Sequence, residues 1–417
     1  MRVLLVAAGL PFPSDTGGKI RTINTLRLLT QRHDVTTVAL VPPGAGERTI
    51  EDTRAWAGRL IPVPWAETAK GTAAFYAELG VNLASRLPYV IAKHSSRRMR
   101  TALAQLERNE RFDALICDFL FPAINTFHLT TRPRVLFQHN LETRIWERYV
   151  ATKTSALRRS YFDLQRRRLA RFERLACSTY DHCIAVSETD GEAMLRDFGA
   201  RAVSVIPTGV DLDYFAPQAG GGEGIVFVGS MDWMPNQDAV RYFVNDILPL
   251  VRRECPQARF TVVGRSAPPE IMRMAETAPG IKVTGFVEDV RPYVARADVV
   301  VVPLRVGGGT RIKIYEAMAM SKAVVSTTIG VEGLPLRAGR DLLIADAPED
   351  FARDVLQVLG SPEARRGLEQ RARAYVVENC SWEHAARRFL EIVETEAAAP
   401  SPGAPASSRH RLPRLAR

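Results

Sequence analysis

Cysteine is scarce in this 417-residue chain: five residues, at 117, 177, 183, 255 and 380, with no CxxC spacing among them. That argues against a zinc ribbon or a disulfide-stapled secreted scaffold, and a reducing cytoplasm is the compartment that fits. Long apolar runs are missing too. "DVVVVPL" is typical, far short of the roughly 20 residues a membrane-spanning helix needs. The opening "MRVLLVAAGLPFP" has one Arg and a brief apolar stretch but no convincing cleavage site. It leads into a glycine loop and an amphipathic stretch, so it reads as a first strand rather than a signal peptide. No short-period repeat is present, and no DxD-type acidic cluster has a context that supports a metal site.

What the chain does have is apolar content, 46%, enough to bury sizeable cores, and a length that predicts two domains. The net charge of +10 is unevenly placed. Residues 1–206 hold 30 Lys and Arg against 20 Asp and Glu, whereas the remainder holds 26 of each. The surplus concentrates around "LRRSYFDLQRRRLARFERL", residues 157–175. Two readings stay open: attraction to an anionic surface, lipid or nucleic acid, and a solvated Arg-rich helix face.

Short β-branched runs alternate with helical stretches throughout. "RVLLVAA", "DVTTVAL", "DALICDF", "RVLFQHN", "HCIAVS" and "AVSVIP" lie in the first half; "GIVFVGS", "ARFTVVG", "IKVTGFV", "DVVVVPL" and "AVVSTT" lie in the second. They are almost continuously apolar, as strands of a parallel sheet covered on both faces must be. Helices are predicted over 18–31, 95–109, 236–254 and 310–320. The fold class is α/β, with two Rossmann-like doubly wound domains facing a central cleft. The predicted division is 1–206, a Gly/Pro/Asp-rich linker at 207–223, 224–380, a C-terminal helix at 381–396 packing back on the first domain, and a disordered basic tail at 397–417.

The stretch "VGGGTRIKIYEAMAM" (306–320) poses a charge problem. Thr310 is a good N-cap, yet Arg311 and Lys313 fall in the first turn, where the helix dipole already carries positive charge. Gly308 and Gly309 free backbone N–H groups for close approach, so the ensemble suits an anion with more than one charge, such as a diphosphate. Glu316, further along, is placed to accept hydrogen bonds from a ribose. The first half repeats the device: Gly17 and Gly18 precede Lys19 and Arg21 in "DTGGKIR". His139 and Asn140 follow the apolar strand "RVLF", a strand-end position suited to hydrogen bonding or proton movement. Asp118 in "ICDF" has a similar position.

Together these residues resemble glycosyltransferase family 4, of the GT-B fold. The resemblance rests on "GGKIR", "QHN", "AVSETD", "IPTGVD", "VFVGSMDWMPNQDAV", "VTGFVEDV", "ADVVVVPL" and "GGGTRIKIYEAMAMSKAVVSTTIGVEGL". The forms "GSMDWMPN" and "GGGTRIKIYEAMA" are most similar to a bacterial subgroup associated with exopolysaccharide systems. The resemblance implies a nucleotide-diphosphate sugar donor on the C-terminal domain and a saccharide or lipid-linked acceptor on the N-terminal side. It implies that Arg311 and Lys313 hold the diphosphate and Glu316 the ribose. Gly18, beside Gly17, approaches the phosphate, and Phe286 and Val287 meet the base. His139 lies near the reacting sugar, with Arg21, Asp118 and Asn140 on the acceptor side. The chain departs from the family pattern beyond Gly229, where Ser230 and Asn236 replace a common Arg and Lys, and at Gly308, which replaces a Glu separated by seven residues from Glu316.

The implied reaction is transfer of a glycosyl unit with retention of configuration and without a metal or other cofactor, the leaving diphosphate being held by cations and backbone N–H groups. Work at the inner face of the cytoplasmic membrane would suit the charge asymmetry. Alternatives are an epimerase or hydrolase of nucleotide sugars on a similar frame, a non-catalytic sugar-nucleotide sensor, and a nucleic-acid-binding protein. The neutral second half and the lack of interleaved aromatics argue against the last.

Overall fold

Val3, Leu4, Leu5 and Val6 are all 2% exposed or less, so this strand is covered on both faces. The computed structural model, which describes residues 1–14, 16–151, 155–306 and 312–399, shows what covers it. Val3, Leu5 and Ala7 enter one apolar cluster with Leu26 and Leu29 of the helix Gly17–Arg32. Leu4 and Val6 enter another with Met99, Leu103 and Leu106 of the helix Arg97–Asn109. Successive side chains of a strand point to opposite faces, so a two-sided core requires the uninterrupted apolar run seen in the sequence.

The first unit, Met1–Pro207 with the chain from Ala385 on, is built on seven parallel strands. They are β1 (Arg2–Ala7), β2 (Asp34–Val41), β3 (Arg59–Pro64), β4 (Ala114–Asp118), β5 (Arg134–Phe137), β6 (His182–Ala185) and β7 (Val203–Val205). Their order is β3-β2-β1-β4-β5-β6-β7. β3, "RLIPVP", escaped the sequence reading because of its two prolines. It lies at the sheet edge, where a missing N–H breaks no ladder. The helix Trp382–Ala398 places Phe389, Leu390, Ile392 and Val393 in this unit's core, with the Phe389 ring 5.0 Å from Phe137.

The second unit, Thr208–His384, has β8 (Ile225–Val228), β9 (Phe260–Val263), β10 (Ile281–Val283), β11 (Val299–Val302), β12 (Ala323–Ser326) and β13 (Leu343–Ile344). The order is β10-β9-β8-β11-β12-β13, again parallel throughout. The two-residue β13 is too short for a sequence signal. The segment 208–223 is tied into this unit: Val210 bridges Ser381, and Asp298 accepts from the Gly222 N–H at 2.9 Å. The helix predicted over 236–254 is interrupted. Met234–Tyr242 gives way to a wider turn at Phe243–Ile247 before Leu248–Glu254, because Pro249 cannot donate to the carbonyl a regular helix would offer it. Among the described residues, no helix is long and apolar enough to cross a membrane.

Candidate active site

In the first sheet the strand order reverses between β1 and β4, and ligands of such sheets sit beyond the strands' carboxyl ends at that reversal. The register sets Ala7 beside Asp118, and Asp118 beside Phe137. The loop after β1, the end of β4 and the residues after β5 therefore converge. His139 Nε2 lies 2.8 Å from Asp118 Oδ1, and Thr22 Oγ1 donates to Asp118 Oδ2 at 2.6 Å. Arg21, one residue before Thr22 on the helix Gly17–Arg32, is buried with its guanidinium carbon 5.9 Å from the Phe137 ring centre. Burial lowers the Arg21 pKa to about 10 and Asp118 opposes that, so the group stays charged at neutral pH.

Burial likewise pulls the His139 pKa down, against the opposing pull of Asp118. The imidazole is accordingly neutral near pH 7, and the carboxylate facing Nε2 fixes the proton there. That leaves Nδ1 as a lone pair. It is buried and has no hydrogen-bond partner among the described residues. A Cβ built on Gly18 would stand 3.4 Å from it.

The same Cβ would stand only 2.6 Å from Phe119 Cζ, so Gly18 is demanded first by an aromatic ring. Phe119 has a φ of 75°, in the region that non-glycine residues avoid, and its ring centre is 3.9 Å from that of His139. Gly17 opens the helix whose first turn brings Gly18 here. Asn140 is not joined to the Asp118–His139 pair; its side chain instead hydrogen-bonds the Glu142 carboxyl. Burial, then the neighbouring Glu173, pushes Glu142 up to about 8. Glu173, itself raised to about 7 by burial, accepts from the N–H groups of Glu142 and Thr143 at 3.0 Å, closing the start of the helix Glu142–Ala151.

In the second sheet the reversal falls between β8 and β11. Gly229 follows β8, and a Cβ there would be 2.7 Å from both Asn236 Nδ2 and Lys313 Nζ. Lys313 Nζ donates to Asn236 Oδ1 at 3.0 Å, and Asn236 Nδ2 donates to the Ser230 carbonyl at 2.7 Å. The ammonium also lies 4.5 Å from the Phe227 ring centre. On the other side of Ser230, Arg265 Nε donates to Ser230 Oγ at 3.2 Å and stands 3.5 Å from Asp232 Oδ2. Ser230 Oγ in turn donates to Asp232 Oδ1 at 2.7 Å. Two cations thus flank the backbone at the end of β8. Ser230 and Asn236, which stand where the family resembled in sequence more often has cations, here anchor Arg265 and Lys313.

Glu316 lies one turn beyond Lys313 on the helix Ile312–Ala319, half-buried, its carboxyl raised to about 7 by burial while Lys313 pulls it back. Phe286 and Val287 follow β10; Phe286 is exposed and Val287 half-buried against the core of this unit. Gly308, Gly309, Thr310 and Arg311 lie outside the described residues. Among the described residues no three His, Cys, Asp or Glu side chains converge as a group able to hold a metal ion.

Arg265, Phe119 and Thr22 were missed from sequence. The strand-end argument that selected His139 applies equally to Arg265 in "FTVVGRS", directly after β9 and Gly264. Phe119 follows Asp118, and its backbone strain leaves no trace in composition.

Two family profiles match the chain. One described as "Glycosyltransferase Family 4" spans residues 16–214, and one described as "Glycosyl transferases group 1" spans 222–361. An uncharacterized 44.6 kDa protein from the cps region of Klebsiella pneumoniae is 20% identical over 390 residues, covering 91% of this chain and 96% of that protein. Among solved structures, sucrose-phosphate synthase from Thermosynechococcus elongatus superposes with a TM-score of 0.70 at 15% identity, over 95% of this chain and 98% of its own. Anabaena HepE in complex with UDP and glucose gives 0.63 at 14%, over 94% and 99%. At such identities these structures attest a shared fold.

Proposed function

Because this chain belongs to glycosyltransferase family 4, with two GT-B-type α/β domains, we propose that it transfers a glycosyl unit from a nucleotide-diphosphate sugar to a saccharide or lipid-linked saccharide in polysaccharide biosynthesis. The observation that carries the reading is the pair of cations at the strand reversal of the second unit, Lys313 held by Asn236 and Arg265 by Ser230. The cps-region relative supports the polysaccharide context, and HepE, solved with UDP and glucose, supports the donor class.

In this reading the second unit binds the donor. Lys313 and Arg265 neutralise the diphosphate and stabilise the charge that grows on it as the glycosidic bond breaks. Arg311 adds to them, with backbone N–H groups of Gly308, Gly309 and Thr310. Glu316 accepts from ribose hydroxyls, and Phe286 with Val287 meets the base. In the first unit, His139 offers Nδ1 as acceptor to a sugar hydroxyl, Asp118 holds the tautomer, and Thr22 with Arg21 holds Asp118. The reaction proceeds with retention of configuration and needs neither metal nor cofactor. The enzyme works against an anionic membrane surface.

A thermal-shift screen over UDP-, GDP- and ADP-sugars identifies the donor. Proton NMR of the product's anomeric signal, followed from mixing with acceptor, then reads the stereochemistry. An initial product with the donor's own anomeric configuration is expected. Formation of an epimer or free sugar from donor alone, as fast as in the presence of acceptor, would replace the transferase reading with the epimerase or hydrolase one.

A further inference from the structure

The helix Ala73–Leu83, "AAFYAELGVNL", is apolar yet sits largely in solvent. Tyr76 is 63% exposed, Val81 77% and Leu83 51%, and Ala73, Ala74, Ala77 and Gly80 are exposed beside them. Helices of a globular protein normally turn such residues inward. Here Phe75, Leu79 and Asn82 face the protein, and the outward face carries a single charge, Glu78. Its carboxylate accepts from Tyr89 Oη at 2.8 Å and from Thr68 Oγ1.

The arrangement is firmly anchored. Arg168, buried, donates from Nη1 to the Asn82 carbonyl and from Nη2 to the Leu83 carbonyl, both at 2.8 Å, closing the helix C-terminus. Gln165 Nε2 donates to Asn82 Oδ1 at 3.0 Å. Both residues belong to the Arg-rich helix Ala156–Thr179. In the first turn of that helix Leu157 is 82% exposed, with Arg158 and Arg159 exposed next to it. Lys70 and Arg86, also exposed, bracket the apolar helix in the chain. A cavity of about 660 Å³ opens beside it, lined by Ala74, Ala77 and Val81 and also by Glu67, Glu78 and Lys93.

The Arg-rich stretch alone would not support membrane attachment. Arg166 and Arg167 pair with Asp163, Arg168 is buried, and Arg174 donates to the Asp197 carbonyl. An exposed apolar helix with exposed cations flanking it in the chain and on the helix that anchors it is a different matter. Apolar side chains enter the boundary between headgroups and acyl chains, while Lys and Arg meet lipid phosphates. We infer that the Ala73–Leu83 face is a membrane-docking surface for an anionic phospholipid bilayer, with Tyr76, Val81, Leu83 and Leu157 as its apolar contacts and Lys70, Arg86, Arg158 and Arg159 as its charged rim. The charge complementarity selects a bilayer over a second copy of the chain, which would set these cations against each other. The inference extends the membrane element of the proposed function and is independent of the donor assignment.

The test is co-sedimentation of the full chain with vesicles of phosphatidylcholine, with and without phosphatidylglycerol. Binding to the phosphatidylglycerol vesicles is expected. Val81→Asp should weaken it about tenfold or more, since it removes one apolar contact and adds a repelled charge. The double variant Arg158→Glu/Arg159→Glu should weaken it at low salt and have less effect at high salt. Each altered side chain is exposed, so thermal midpoints should match the parent, and transfer to a soluble acceptor should be unchanged. Failure of the parent protein to sediment at low salt would overturn the inference, as would binding of Val81→Asp within about twofold of the parent. Light scattering that showed a dimer, converted to monomer by Val81→Asp, would assign the face to a second copy instead. Loss of donor binding with vesicle binding intact would count against the proposed function and leave this surface standing.

Discussion

Lys313→Met is the sharpest test of the donor site, because it keeps most of the side chain's apolar stem and removes only the charge. The ammonium is held before any ligand arrives, 3.0 Å from Asn236 Oδ1 and 4.5 Å from the Phe227 ring centre. Little side-chain entropy remains to be lost on binding. A hydrogen bond to a charged group contributes about 1.5–3 kcal/mol, so the variant should bind nucleotide-diphosphate sugar roughly 10- to 150-fold more weakly. Arg265→Met removes the cation on the other side of Ser230 and should weaken binding similarly, less so where solvent already screens the guanidinium.

Thermal shift reads this directly. With donor at about 100 times the parent Kd, binding stabilises the folded state by about 2.7 kcal/mol. For a unit of this size that corresponds to a rise of about 5–10 °C. A 100-fold weaker Kd leaves about 0.4 kcal/mol, a shift near 1 °C. The two cations are linked through Ser230, whose Oγ accepts from Arg265 and whose carbonyl accepts from the Asn236 that holds Lys313, so the double variant should depart from additivity. The control is the ligand-free midpoint, which Lys313→Met should lower only slightly, since Asn236 keeps its bond to the Ser230 carbonyl. If both single variants retain the parent's donor-induced shift within about a degree, the anion site is misassigned.

Three further outcomes follow from the first unit. Gly18→Ala places a Cβ 2.6 Å from Phe119 Cζ, and that ring, 3.9 Å from His139, has little room to retreat; urea unfolding should show a loss of about 1–3 kcal/mol, partly restored by adding Phe119→Leu. Asp118→Asn removes the charge that fixes the His139 proton on Nε2, and steady-state kinetics should show kcat down about tenfold or more with donor affinity unchanged; an unaltered kcat would detach the pair from the chemistry. Glu142, raised in the folded state from 4.5 to about 8, gives stability that is fully present below about pH 4.5 and is lost as pH rises through about 8. Glu142→Gln removes that slope, of at most about 1.4 kcal/mol per pH unit, so its urea midpoint should gain on the parent's between about pH 5 and pH 8; a constant difference across that range would refute the buried-acid account.

The legible parts of this protein were those written in local pattern. Largely apolar runs marked the strands, because covering both faces of a parallel sheet leaves few positions for polar residues, such as Thr36 and Thr37 of β2. β3 was hidden because its prolines deny strand character unless the strand is known to be an edge, and edge position is a property of the assembled sheet. The same limit governs the site. His139 and Asp118 stand at strand ends that sequence can identify, but they are 21 residues apart, and only the register of β4 against β5 makes them partners.

Lys313 and Asn236 are 77 residues apart, and Arg265 and Ser230 are 35. Reading Ser230 and Asn236 as lost cations was therefore half the account: the positive charge near them comes from other elements, and the small polar residues hold it in place. The cation pair in one helix turn posed the electrostatic problem in the sequence. In the described structure the arrangement spans the ends of neighbouring strands, with Lys313 contributed by the helix after β11 and Arg265 by the loop after β9. Two cations supported from separate elements can be removed one at a time without unmaking a common helix turn, and for that reason the Lys313 and Arg265 variants can tell a binding site from a surface ion pair.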